Sequence, residues 1–122
     1  MSLIRVDNFG PSAGGTTYSA RGVAKAWVNF NGTGTVAVRD SENVASITDN
    51  GTGDYTANLS STFGGADYNF TFGGNVGDGV VISISSTQAI PTSSAIRVRS
   101  YNASWISTDG SYINISIHGD LA

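Results

Sequence analysis

The chain has 122 residues, of which 39% are hydrophobic and only 12% charged, with a net charge of −3 at pH 7 and no cysteine. This length suits one domain, and the missing cysteine excludes disulfides and thiolate metal sites. One lysine and five scattered arginines on an acidic chain argue against nucleic-acid binding.

The 16 glycines, with abundant Ser, Thr and Asn, suit short strands joined by tight turns rather than helices. Regularly spaced Val, Ile, Phe, Tyr and Trp give each strand apolar surface to bury, which argues against disorder. The opening MSLIRVDNFG lacks a basic segment followed by an apolar one, and no apolar run approaches membrane-spanning length. Neither a signal peptide nor membrane insertion is expected.

In chain order, residues 1–20 form an N-terminal arm or linker, with a short strand at Leu3–Asp7 and a flexible Gly10–Thr17 segment. Residues 21–122 form the main domain. In Ala24–Phe30, Ala24, Ala26, Val28 and Phe30 share one face, and Lys25, Trp27 and Asn29 the other. Asn31–Gly34 turns the chain, and Thr35–Arg39 returns as a second strand. Asn43–Ile47 and Asp54–Leu59 flank the turn Asp49–Gly53, whose Asn-Gly and second Gly predict a hairpin.

Ser60–Gly65 reads as a polar loop, and Tyr68–Phe72 as a strand with its aromatics on one face. Gly73–Gly79 reads as an irregular loop because of its glycines. Val80–Ser85 alternates again, with Val80, Ile82 and Ile84 on one side, until Ile90–Ser94 breaks pairing at Pro91. Ala95–Tyr101 opposes Ile96 and Val98 to Arg97 and Arg99. Trp105–Tyr112 contains Asp109-Gly110, a hairpin signal, and Ile113–His118 closes the series. Seven or eight short strands with turns about every ten residues predict an all-β fold, an antiparallel β-sandwich of jelly-roll type.

The run from Gly22 to Leu59, with WVNFNGTGTV followed by SITDNGTGDYT, resembles a module of bacteriophage tail-fibre and virion surface proteins. Ile4–Phe9 with its Gly-rich continuation is similar to the start of many such proteins. The resemblance implies location on the surface of a phage particle, synthesis in the host bacterial cytoplasm and homotrimeric assembly. The low charge agrees with a subunit interface, expected to be lined by Tyr, Phe and Ile. Residues 1–20 would then be an arm that docks on a neighbouring subunit or other virion proteins, set against a simple frayed terminus. Two other roles stay open: a capsid decoration protein or head fibre, and a free carbohydrate-binding module or small glycosidase.

No residue pattern calls for catalysis or a cofactor. His118 is the only histidine and falls on the polar side of the last strand, a surface or interface position. No nucleophile-elbow motif accompanies the serines. The nine carboxylates sit mostly beside turn formers, and glycosidase chemistry needs two of them across one cleft. Asp49–Asp54 has a faint look of a calcium loop without its closing Glu, so a hairpin turn is the better assignment. Gly73–Gly79 lacks the Lys-Ser/Thr of a phosphate cradle.

The aromatic residues carry the functional thread. Trp27, Tyr101, Trp105 and Tyr112 lie near strand ends or opposite the aliphatic faces, beside Asn, Asp and Ser. Such groups stack on sugar rings while amides and carboxyls bind hydroxyls, which makes a host surface polysaccharide a candidate partner. The competing assignment puts them in the core or between subunits.

Overall fold

Side-chain alternation along these strands becomes two four-stranded antiparallel sheets packed face to face. The computed structural model describes residues 3–75, 81–84 and 91–122. Among them the strands are β1 (Asn8–Phe9), β2 (Tyr18–Ser19), β3 (Ala26–Asn31), β4 (Ala37–Glu42), β5 (Val44–Gly51), β6 (Asp54–Leu59), β7 (Asn69–Asn75), β8 (Val81–Ile84), β9 (Ala95–Tyr101) and β10 (Tyr112–His118). One sheet runs β4-β3-β10-β7, the other β5-β6-β9-β8. The first two strands pair as a small separate ribbon. The expected sandwich is present, with eight strands in its two sheets.

The inward positions are the ones the alternation assigns. Ala26, Val28 and Phe30 of β3, Ala57 and Leu59 of β6, Ile96 and Val98 of β9, and Ile113, Ile115 and Ile117 of β10 are all buried. Burying the Val, Leu, Ile and Phe side chains among them stabilises by roughly 1.5–3 kcal/mol each, and this shared interior holds the two sheets together. Phe30 meets Tyr55 edge to face across the interior, ring centres 5.2 Å apart, a favoured aromatic geometry.

Asn43, with φ of 54°, is the single residue between β4 and β5, where the chain changes sheets. Asn tolerates this left-handed conformation better than most residues. Its side chain is pinned, accepting from Ser61 N–H at 2.6 Å and donating to Ser61 O at 3.1 Å.

Several expectations need correction. The strand expected at Leu3–Asp7 lies instead at Asn8–Phe9, and Gly10–Thr17 is the loop of the β1–β2 ribbon, with a Gly14 N–H to Pro11 O bond of 3.2 Å. The return strand begins at Ala37 rather than Thr35 and runs to Glu42. Gly73, Gly74 and Asn75, expected in a loop, extend β7 by pairing with Asn114, Ile113 and Tyr112. The regular backbone of β10 supplies the ladder that glycine's own propensity does not. Residues 76–79, Val80, Ser85 and Ile90 lie outside the described residues.

Asp109-Gly110 is no hairpin turn. It lies on the crossover from β9 in one sheet to β10 in the other. The Asp109 carboxylate accepts there from Gly53 N–H and the Tyr55 hydroxyl of the β5–β6 hairpin, which local turn propensity does not register. Within the polar loop before β7, Phe63 is buried and bridges to Leu121. Among the described residues no helix is long and apolar enough to cross a membrane.

Candidate functional site

The outer face of the β4-β3-β10-β7 sheet carries the side chains that point away from the core. Cross-strand register arranges them in rows. Glu42, Trp27, Ser116 and Thr71 form one row, and Asp40, Asn29, Asn114 and Gly73 the next. Because Gly73 has no side chain, the second row is open at β7. A shallow groove of about 420 Å³ lies over these rows, bordered by Trp27, Asn29, Thr71, Gly73, Asn114 and Ser116. Trp27 is 36% exposed, so its indole is seated in the sheet yet reachable from solvent.

One end of the face is organised by Arg39, the extra residue of an irregularity in β4 opposite Asn29 and Phe30. A bulge of this kind re-aims a side chain, and here it lays the guanidinium across the sheet. Arg39 Nη1 donates to Asn29 Oδ1 at 3.3 Å and Nη2 to Ser111 O at 2.7 Å. The guanidinium carbon stands 3.9 Å from the centre of the Tyr112 ring, a cation–π contact worth about 0.5–1 kcal/mol at an exposed site. Tyr112 is half exposed.

The four aromatic candidates therefore fall into two groups. Trp27 and Tyr112 share the outer face of one sheet. Tyr101 ends β9 in the other sheet, and Trp105 follows in the crossover, ring centres 6.3 Å apart. Trp105 is 70% exposed with φ of 61°. Asn102 Oδ1 accepts from the N–H groups of Ser104 and Ile106 at 2.9 and 3.0 Å, and its carbonyl accepts from Trp105 N–H at 3.0 Å. That tight frame holds the indole outward.

Asn29, Arg39, Thr71, Gly73, Asn114 and Ser116 join the face without having been singled out by sequence. The signal was available in part. Positions opposite the aliphatic set in Ala24–Phe30 and Ile113–His118 are uniformly polar or aromatic, but which strands adjoin cannot be read from alternation.

Several charged and turn-forming side chains are engaged in the fold. Asp54 is buried and accepts from Arg97 Nε and Nη2, both at 2.7 Å, with Arg99 Nη2 at 3.1 Å. The hydrogen bond from Arg97 holds the Asp54 carboxyl below the usual carboxylate range, against the opposing effect of burial. Asp49 Oδ1 accepts from Gly51 N–H at 3.0 Å, so the loop with a calcium-like look is a hairpin turn between β5 and β6. His118 lies opposite Asn69 on the outer face, half-buried. Among the described residues no group of three His, Cys, Asp or Glu side chains converges as a metal site would require.

The groove thus offers one aromatic surface and neutral amides and hydroxyls on a rigid sheet, with no carboxylate in its lining. Such a set has the chemistry to stack on and hydrogen-bond an uncharged, hydroxyl-bearing ring. Comparison with known proteins finds no matching family, no similar curated protein and no similar solved structure.

Proposed function

We propose that this chain is a non-catalytic attachment module of a bacteriophage particle, of tail-fibre type. It assembles as a homotrimer and presents the Trp27 groove to sugars of the host surface. The observation that carries the reading is the groove itself, an accessible indole flanked by Asn29, Asn114, Ser116 and Thr71. The resemblance of Gly22–Leu59 to phage surface modules supplies the setting. A single shallow site binds weakly, but three on one trimer, with several trimers per particle, raise apparent affinity by avidity.

The arm supports attachment to the rest of a particle. Leu3, Ile4, Val6, Phe9 and Tyr18 are all exposed, and a two-stranded ribbon this short is at best marginally stable without a partner. The same observation favours a second reading, a capsid decoration protein or head fibre clamped to the shell through these residues.

Two measurements test the proposal. Static light scattering on the full chain, and on a chain lacking residues 1–20, should give a trimer in both cases. A monomer in both would overturn the fibre reading. Tryptophan fluorescence titrated with bacterial surface polysaccharides should show saturable binding that Trp27→Ala removes and Trp105→Ala leaves intact. Binding unaffected by Trp27→Ala would overturn the groove as the site.

A further inference from the structure

We infer that the groove selects neutral sugar rings and rejects acidic ones, and that Asp40 and Glu42 are the discriminating groups. The inference rests on the glycan-binding reading above and adds the class of ligand. Asp40 stands directly across from Asn29, and Glu42 directly across from Trp27, on the same outer face. Side chains so placed have their Cβ atoms about 4.5–5.5 Å apart. A ring stacked on Trp27 and bonded to Asn29 therefore has two exposed carboxylates along one whole side.

Arg39 is the cation held at this face, bonded to the same Asn29 that stands across from Asp40. Its guanidinium is tied toward the Tyr112 end, donating to Asn29 Oδ1 and Ser111 O and covering Tyr112, so it offsets at most one of the two carboxylates. Lys25 is turned off the face, with Nζ donating to Ala20 O at 2.5 Å and Val23 O at 3.1 Å. The local balance is two carboxylates against one anchored guanidinium, on a chain of net charge −3. A uronate or other acidic sugar entering here meets like charge within the screening length of about 8 Å.

The neutral donors face the ligand from the groove. Asn29 Oδ1 is occupied by Arg39, which fixes the amide so that its NH2 group is presented as donor. Across the face Asn114 adds a second amide, and Ser116 and Thr71 add hydroxyls. Hydroxyl and acetamido groups suit that set, and neither carries charge.

The test uses matched probes: galactan, mannan and glucan oligosaccharides, and the same oligosaccharides oxidised at C6 to uronates, titrated calorimetrically into the full chain at low salt. The neutral forms should bind at least tenfold more tightly than their oxidised partners. Trp27→Ala should abolish binding, and Asp40→Asn with Glu42→Gln should narrow the gap to about threefold or less. Circular dichroism of each variant checks that the sandwich is intact. Oxidised probes binding as tightly as neutral ones, through Trp27, would overturn the selectivity and leave glycan binding standing. A gap that persists in the double variant would overturn the assignment to Asp40 and Glu42. Absence of binding by every probe would overturn the inference together with the glycan reading beneath it.

Discussion

The phenol of Tyr55 donates to Asp109 Oδ1 at 2.7 Å, and the same carboxylate oxygen accepts from Gly53 N–H at 2.7 Å. The carbonyl of Gly32 is a second acceptor for the phenol at 3.1 Å. Tyr55 is on β6 of one sheet, Gly32 follows β3 of the other, and Asp109 lies on the crossover between sheets. One phenol thus ties three separate segments at one end of the sandwich. Tyr55→Phe takes the phenol donor from the part-buried Asp109 carboxylate and the buried Gly32 carbonyl, and should cost about 1–3 kcal/mol in urea denaturation. Asp109→Ala, which also strands the Gly53 N–H, should cost more.

The same phenol predicts alkaline behaviour. Burial, and then the hydrogen bond to Asp109, push the Tyr55 hydroxyl well above its ordinary value of 10.0. The folded chain therefore keeps a proton that the unfolded chain releases. Its contribution to stability is complete below pH 10 and declines as pH rises above it. Denaturation midpoints from pH 9 to 11.5 should fall in the native protein and fall less steeply in Tyr55→Phe.

Asp54 has the opposite sign. Its carboxyl, lowered by Arg97 from the ordinary 3.8, contributes stability that is present above that value and lost as pH falls through its folded-state value. Asp54→Asn leaves Arg97 and Arg99 partly buried without their shared counter-charge. The expected loss is about 3 kcal/mol at pH 7, the low end for a broken buried pair. Between pH 4 and 2 the variant should lose less stability than the native protein.

Gly32 and Gly22 make a matched pair. A Cβ at Gly32 would run into the Tyr55 hydroxyl and ring, whereas one at Gly22 meets nothing within 4 Å. Gly32→Ala should therefore destabilise by about 1–3 kcal/mol through overpacking, and Gly22→Ala should leave the thermal midpoint almost unchanged. Similar losses for both would show that Tyr55 does not pack against this turn.

Trp105 is displayed at a backbone cost. Its left-handed conformation is worth about 1–2 kcal/mol of strain for a side-chain-bearing residue. Trp105→Gly removes the strain while adding roughly 0.5–1 kcal/mol of unfolded-state entropy. The variant should keep the native midpoint within about 1 kcal/mol. A large loss would mean that the indole supports the fold rather than standing clear of it.

Alternation determined much by itself. Ala26-Val28-Phe30, Ile96-Val98 and Ile113-Ile115-Ile117 declare their buried faces because a strand's side chains repeat every two residues, whatever the strand pairs with. The β5–β6 hairpin was equally legible, since Asn50-Gly51 and Gly53 set a local turn. What alternation omits is which strand lies beside which. Asp109-Gly110 carries a hairpin signal, yet its carboxylate serves Tyr55 and Gly53, far away in sequence, and the chain crosses between sheets there. Gly73 and Gly74 look like a loop until β10 pairs with them.

The groove depends on the same missing information. Trp27 was visible as an outward aromatic, but Asn114, Ser116 and Thr71 reach it only because β10 lies between β3 and β7. Arg39 reaches Tyr112 only because β4 bulges. Side-chain period is a local property of the backbone, and the sequence determined it. Sheet order and register are set by long-range burial and hydrogen bonding, and only the tertiary structure decided those.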